Sequence, residues 1–593
     1  MHNSYYKNNT ISVNGLKWIL KKNLANNFDE IKKIENMPEI IKEILYKREL
    51  FDMDIRNYLR PSFDKQNLNP YRLHDMEKAV EFFFKAIIYN EKIGILGDYD
   101  VDGATSSAII YNYLTELKLE NIEVYIPDRE KDGYGLSHNA INFFKKKKVK
   151  LILCLDCGTN DDKCVAAALA TGIKTIIIDH HEQKSNNRSI ALINPKKKND
   201  ISNLNYLATV GLVFLFILAL DKFLENKRFF NTNKSKPNIK KYLDLVALGT
   251  ICDMVPLKNL NRFFVKEGIL KINKKINLGI KVLIEKLNIK KTLDASDLGF
   301  YLGPCINAPG RVGESSLGFK ILTSKNESFV RETVDAMIQN NLERKTLEKI
   351  SCTQAINKII SKKLSDDNLN TKFILLQDTS WHPGIIGIIA SRLTKKYNIP
   401  SIVISLKEKN AKGSIRSIKG INAVDIIDFL KKNNSILNGG GHKMAGGFTT
   451  EKKSLNNINA SLHAFFSDIS INKNNFLEID AILDLHVINT KLIENIKNIG
   501  PFGQENEEPL VVLNNLRPTF IKKVGKTKKH IFCVLEDSYG ESINAMVFNH
   551  DSTAIGKAIY QERPINIAGK LELYLLEGKI KTPQIIIEDI LIL

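Results

Sequence analysis

Lys92-Ile93-Gly94-Ile95-Leu96 runs directly into Gly97-Asp98-Tyr99-Asp100-Val101-Asp102-Gly103, and Ala104–Leu117 then reads as a helix. An apolar strand, an acidic turn and a helix in that order open a β-α-β pattern. Ile122–Ile126, Leu151–Leu155 and Thr175–Ile178 supply further short apolar strands, with an alanine-rich helix near Cys164–Ala170. Strands this apolar, alternating with helices, predict a parallel sheet covered on both faces.

The acidic residues fall at one edge of that sheet. The first strand releases Asp98, Asp100 and Asp102, the third ends in Asp156-Cys157-Gly158, and the fourth ends in Asp179-His180-His181. Ligands of open α/β sheets bind at the carboxyl ends of the strands. In an extended segment Asp98, Asp100 and Asp102 would share a face. So many carboxylates in one crevice repel each other unless cations neutralise them; carboxylate and water ligands suit Mg²⁺ or Mn²⁺, and adding imidazole moves the preference towards Mn²⁺. Asp253, in Gly249-Thr250-Ile251-Cys252-Asp253-Met254-Val255-Pro256, is a fourth candidate. Singly, an Asp after a strand is usually a helix cap and a His-His pair is usually surface or core. Their joint placement favours a metal site. Neither a G-x-x-x-x-G-K-[ST] loop nor a G-x-S-x-G elbow is present, which turns the reading from NTPase and serine hydrolase chemistry towards two-metal phosphodiester hydrolysis.

Composition agrees. The 593 residues carry 86 Lys+Arg against 66 Asp+Glu, a formal charge of +20, which fits a polyanionic partner. AT-rich codon usage would enrich Lys, Asn and Ile as well. Seven cysteines, an odd and small number, fit a reducing compartment. Cys154-x-x-Cys157 lacks the second pair of a zinc site and reads as a strand and its end. The amino-terminal segment shows no apolar signal-type core, and the most apolar run, Leu207–Leu220, spans 14 residues. That is short of the roughly 20 needed to cross a bilayer, so a buried helix in a cytoplasmic protein is expected.

Between Phe319 and His382 there is neither Gly nor Pro. Ser324-Lys325-Asn326-Glu327 has the form of a capping box. A helix over about 328–363, ~54 Å long at 1.5 Å per residue, predicts a connector between lobes. A second α/β pattern follows at Phe373–Leu376, Ile385–Lys396 and Ser401–Ser405, closing with the glycine-rich Gly439–Gly447. That glycine run reads either as a flexible loop or, beside His442, as backbone brought close to phosphate. From about Pro509 the strands Ile531–Leu535, Ile543–Phe548, Ile565–Tyr574 and Gln584–Ile590 fit a small OB-like β-barrel, with a β-sandwich as the alternative. Lys522, Lys523, Lys526, Lys528 and Lys529 crowd one expected strand turn, as a single-strand platform or a solvated loop. The expected divisions are an amino-terminal extension (1–70), a first α/β domain (71–325), the connector (326–365), a second α/β domain (366–467) and the barrel (468–593).

Asp179-His180-His181, in order with the Asp98–Asp102 motif, Asp156-Cys157-Gly158 and Asp253, resembles the DHH phosphoesterase superfamily. Trp381-His382-Pro383-Gly384, Gly413-Ser414-Ile415-Arg416-Ser417 and Gly439-Gly440-Gly441-His442 resemble its DHHA1 domain. Three further segments are similar to the RecJ family of single-strand exonucleases: Pro127-Asp128-Arg129 with Gly133-Tyr134-Gly135-Leu136, Asn307-Ala308-Pro309-Gly310-Arg311, and Gly500-Pro501-Phe502-Gly503. The resemblance covers roughly residues 45–593. It implies a metal-dependent 5′→3′ exonuclease that degrades single-stranded DNA to mononucleotides in repair and recombination, with helicase or single-strand-binding partners. It implies two ions, Mn²⁺ or Mg²⁺, held by Asp98, Asp100, Asp156, His180, His181 and Asp253, with Asp156 bridging and Asp102 supporting the loop. It implies a 5′-phosphate pocket of Arg129, Arg311, Ser414 and Arg416, with His382 and His442 also on the substrate side. A surface charge at Arg311 and a simple turn at Ser414–Arg416 are the plain readings. Pro309 and Ile415 depart from the expected pattern. The alternative is another DHH phosphodiesterase acting on short oligonucleotides, which resembles only the first two lobes. A non-catalytic single-strand-binding protein would have no use for the full ligand set.

Overall fold

The computed structural model describes residues 10–22, 31, 34, 37–48, 55–62, 69–129, 131–184, 186–231, 235–361, 371–407, 410–469, 476–525, 527–548, 553–576 and 580–593. The chain divides into two units. Leu68–Pro256 and Phe264–Lys473 form one, and Met1–Asn67, Leu257–Phe263 and Asn474–Leu593 form the other.

The first unit contains a five-stranded, all-parallel sheet in the spatial order Ile122–Tyr125, Ile93–Gly97, Leu151–Leu155, Lys174–Ile178, Ala191–Ile193. Ile95 lies between Val124 and Leu153 in register. The strand order reverses between the Ile93–Gly97 and Leu151–Leu155 strands. That switch point leaves a crevice at their carboxyl ends, and Asp98 and Asp156 are the residues that follow each strand. Leu151–Leu155 is buried at every position, which is why it shows no polar alternation. The apolar run beginning near Leu207 is the buried helix Thr209–Asn226.

The connector is the 35-residue helix Glu327–Ser361. Its start differs from the expected capping box: Asn326 Oδ1 accepts the Phe329 N–H at 3.1 Å, while Ser324 Oγ accepts the Asn326 N–H. Asn caps a helix as well as Ser does, and its position decides where the helix begins.

The same unit carries a second five-stranded sheet, ordered Asn438–His442, Ala445–Thr450, Ala411–Arg416, Ser401–Ser405, Ile374–Asp378, with only the last pair parallel. The glycine run is therefore neither loop nor cradle alone. It is the hairpin Asn438–His442 with Ala445–Thr450 at the sheet edge.

In the other unit, Val511–Val524, His530–Glu536, Ser542–Val547, Ile580–Ile592 and Ile565–Leu576 pair in sequence, and the last returns to the first, closing an OB-like barrel. The amino-terminal segment belongs to this unit. Lys17–Leu20 pairs in parallel with Phe476–Ile479, and Ile41, Ile44, Leu45, Ile55 and Tyr58 share one buried cluster with Ile493, Val511 and Ile590. Among the described residues no helix is long and apolar enough to cross a membrane.

Candidate metal centre and phosphate pocket

Each acidic residue reaches the crevice for a local reason. Asp100 caps the helix Val101–Glu116, its Oδ1 accepting the Gly103 N–H at 3.0 Å. Gly103 is required there, since a Cβ would sit 2.4 Å from the Asp98 carbonyl oxygen. Asp102 is buried in the first turn of that helix and accepts the Thr209 and Val210 N–H groups at 2.7 and 2.8 Å. It thereby ties two helix N-termini together. Asp156 adopts φ +63°, a left-handed conformation that Asp tolerates better than most residues. Its Oδ1 accepts the Thr209 hydroxyl at 2.9 Å. Asp253 ends the helix Leu243–Cys252.

Three overlapping groups of potential ligand atoms result, each within 4.8 Å: Asp156, His180 and His181; Asp102, His180 and Asp253; Asp98, Asp100 and Asp156. His180 Nε2 lies 3.5 Å from both Asp156 Oδ1 and Asp253 Oδ2. Asp98 Oδ1 and Asp253 Oδ2 are buried without a hydrogen-bond partner. Burial, and then the charge of Asp100, pushes Asp98 well above the usual carboxylate range. Burial, and then Asp102 and Asp100, does the same to Asp156. Orphaned carboxylate oxygens, mutually repelling acids and two imidazoles form a donor set that fits divalent cations. Asp156 belongs to two of the three groups, which suits a shared ligand.

Sequence reasoning did not assign the groups that aim these donors. Asp179 is buried, and its Oδ1 accepts from His181 Nδ1 at 2.7 Å and from the His180 N–H at 2.7 Å, while Oδ2 accepts the Thr159 N–H. Burial opposes its ionisation, but His181 and these hydrogen bonds hold it well below the usual range. Burial would lower His181, yet Asp179, Asp98 and Asp100 raise it to about 8. Burial and then the His181 charge lower His180 to about 3, leaving a neutral imidazole. The Tyr134 hydroxyl donates to the Asp156 carbonyl at 2.7 Å and lies 3.1 Å from His181 Nδ1. Asp179 was visible within its tripeptide. Thr209 carried no signal, because only the fold brings its helix to Asp156.

The proposed phosphate residues also assemble. Arg129 lies over the Tyr99 ring, 5.3 Å from its centroid. Burial, then the charges of Arg129, Arg344 and Arg416, lowers Arg311 to about 9, and Gly310, next to Arg311 in the chain, packs against Tyr99, whose ring lies under Arg129. Arg311 Nη1 donates to the Gly384 carbonyl at 3.1 Å, and Arg416 Nη1 to Ser414 Oγ and the Ile415 carbonyl at 3.1 and 2.9 Å. Among the described groups neither binds a carboxylate directly. His382 Nδ1 accepts the Gly384 N–H at 3.0 Å. Partial desolvation, then Arg416, His181 and Lys196, lowers His442, and the hairpin's Ala445 lies beside Arg416 in register. Neither departure disturbs the pocket. Pro309 opens the short helix Pro309–Val312, a position that needs no N–H. Ile415 is fully buried in the second sheet's core, on the opposite face from Ser414 and Arg416, as strand alternation dictates. Arg344, on the connector helix, was not foreseen.

Profiles of three families match the chain: the DHH family, N-terminal domain, over residues 92–250, the DHHA1 domain over 370–468 and the RecJ OB domain over 479–589. The single-stranded-DNA-specific exonuclease RecJ of Haemophilus influenzae is 32% identical over 533 residues, covering 87% of this chain and 90% of that protein. This chain belongs to the RecJ family. The crystal structure of Thermus thermophilus RecJ in complex with Mn²⁺ shares the fold, with a TM-score of 0.76 at 23% identity over 95% of this chain and 77% of that one. A crystal structure of exonuclease RecJ bound to manganese is 27% identical with a TM-score of 0.56, covering 68% of this chain and 97% of that one. The family's fold, with parallel-sheet, DHHA1 and OB-like barrel parts, is the one described above, and its use of divalent metal agrees with the donor set in the crevice.

Proposed function

We propose that this chain is a single-stranded-DNA-specific exonuclease that hydrolyses its substrate 5′→3′ to mononucleotides, acting in DNA repair and recombination. The observation that carries the reading is the switch-point crevice, where Asp156 joins two groups of metal donors and Arg129 lies over the ring of Tyr99, the residue between Asp98 and Asp100. Asp98, Asp100, Asp156, His180, His181 and Asp253 would hold two ions. Bound there, Mn²⁺ or Mg²⁺ would polarise the scissile phosphate and lower the pKa of a bound water. Asp102 and Thr209 fix the two helix N-termini that flank Asp156, and Asp179 fixes the ring of His181. Arg129, Arg311, Ser414 and Arg416 grip a terminal phosphate, because planar guanidinium forks match phosphate oxygens. His382 shapes the Gly384 turn against Arg311, and His442 faces the substrate from the hairpin. A pocket for a terminal 5′-phosphate beside the scissile position sets the polarity. Helicases and single-strand-binding proteins are the partners to test.

End-labelled single-stranded and duplex DNA, with and without EDTA, tests substrate, polarity and metal use together. Release of 5′-mononucleotides from single strands, abolished by EDTA and restored by Mn²⁺ at least as well as by Mg²⁺, is expected, with Ca²⁺ giving little. Imidazole is a poor Mg²⁺ ligand, so a strict Mg²⁺ requirement would argue against His180 and His181 as ligands. Action confined to short oligonucleotides would favour the other DHH phosphodiesterases.

A further inference from the structure

Lys196, Lys197 and Lys198 form a run that resembles a solvated surface stretch. The structure separates the first two. Lys197 is spent on architecture: its Nζ bonds to Asp75 Oδ2 and His74 Nδ1 at 2.8 Å and to the Leu192 carbonyl at 3.0 Å. Lys196 is placed differently. It follows the edge strand Ala191–Ile193 at the same carboxyl end that releases Asp98, Asp156 and Asp179. Asn194, fully buried, pins it there. Asn194 Nδ2 donates to the His181 carbonyl at 2.8 Å and to Thr159 Oγ1 at 3.0 Å, and its Oδ1 accepts the Lys196 N–H at 2.9 Å. One buried amide thus fixes the Lys196 backbone to the metal-donor turn.

The Lys196 ammonium group has a loose counter-ion, Glu182 Oε1 at 3.7 Å, with Lys196 27% and Glu182 62% exposed. At that distance, and with the carboxylate largely in solvent, the pair is weak and readily exchanged. Glu182 directly follows His181 in the chain, so the ion pair and the Asn194 amide both hold Lys196 beside the metal-donor turn. A cation beside a site built for cations has little to offer a bound ion, but it complements an anion held against that ion.

We propose that Lys196 is a substrate-binding residue: its ammonium group leaves Glu182 and engages a phosphate oxygen of the DNA strand at the metal centre, outside the arginine pocket. The assignment rests on the exonuclease reading above. Lysine suits a non-terminal phosphate, acting as a point charge where the arginines offer a bidentate fork.

The test uses the full chain carrying Lys196→Gln or Lys196→Arg, with a 5′-phosphorylated single strand. Lys196→Gln should lower kcat/KM about ten- to a hundredfold, the range of a charge-assisted contact, and Lys196→Arg should restore most of it. Binding in EDTA should show a salt slope shallower by about 0.7 for the Gln variant, one phosphate contact on a single strand, and a wild-type slope for the Arg variant. Mn²⁺ affinity by calorimetry and the melting temperature should match wild type in both. A kcat/KM for Lys196→Gln within twofold of wild type overturns the proposal. So does an Arg variant no better than the Gln variant, or a loss of Mn²⁺ affinity or melting temperature that tracks the loss of activity. A wild-type chain inactive on single-stranded DNA would instead sink the exonuclease reading itself.

Discussion

Asp156 is the residue on which the most geometry converges. Its left-handed backbone, the Thr209 hydroxyl and the Tyr134 hydroxyl all act on it, and it is shared between two donor groups. Asp156→Ala should abolish hydrolysis while leaving single-strand binding largely intact, because it removes a candidate metal donor and leaves the basic side chains in place. Steady-state turnover beside a binding isotherm checks this, and substantial residual turnover by a folded variant would remove the bridging role. Arg416 makes the complementary case. Among the described residues its guanidinium group donates to neutral partners alone, so Arg416→Ala should penalise 5′-phosphorylated strands more than 5′-hydroxyl strands. A charge-assisted contact of roughly 1.5–3 kcal/mol gives about tenfold to over a hundredfold in kcat/KM; equal losses on both substrates would place the arginine's role elsewhere. The candidate donors after the strands were legible in the sequence because an apolar run followed by acid announces a strand end, whereas Asp253 follows an apolar helix. Thr209 and Asn194 were not, because each acts through a partner distant in sequence that only folding brings near.

Elements differ in how much of their environment they advertise. The parallel strands read correctly because burial on both faces leaves an unmistakable apolar run. The amino-terminal segment is polar with scattered apolar residues, and gave no motif. Its reason is tertiary: Lys17–Leu20 adds a strand beside Phe476–Ile479, a partner more than 450 residues away. Trp18 is 1% exposed, and its indole N–H donates to Asp589 Oδ2 at 2.8 Å. Trp18→Ala should therefore cost about 3–5 kcal/mol in the barrel unit, the range for emptying a large aromatic site, and should also leave Asp589 short of a donor. Denaturant unfolding followed by barrel-unit probes would show it, with hydrolysis of short oligonucleotides little changed below the transition. A cost under about 1 kcal/mol, well below that range, would mean the strand is an ornament to the barrel.

At the scale of the whole molecule, the barrel unit is built from three stretches of chain: the amino-terminal segment, Leu257–Phe263 and the carboxyl-terminal tail. Arg262, buried, donates to the Tyr58, Ile499 and Gly500 carbonyls and so binds all three. Deleting the tail would strip the partners of Ile41, Ile44 and Tyr58, so truncation cannot separate grip from folding. Charge substitution can. The turn between Val511–Val524 and His530–Glu536 carries Lys522 and Lys523 on its strand side and Lys528 and Lys529 beyond, all exposed; Lys526 lies outside the described residues. If these four face backbone phosphates, replacing them with Gln should weaken binding to long single strands and flatten the plot of log affinity against log salt. Each contact contributes about 0.7 to that slope, so four account for at most about 3. Hydrolysis of very short oligonucleotides, whose few phosphates are taken up at the metal centre, should change far less. None of the four lysines is buried, so the melting temperature should hold, and the comparison then isolates charge. An unchanged slope with unchanged affinity for long strands would assign the lysines to solvent and leave the barrel a structural role.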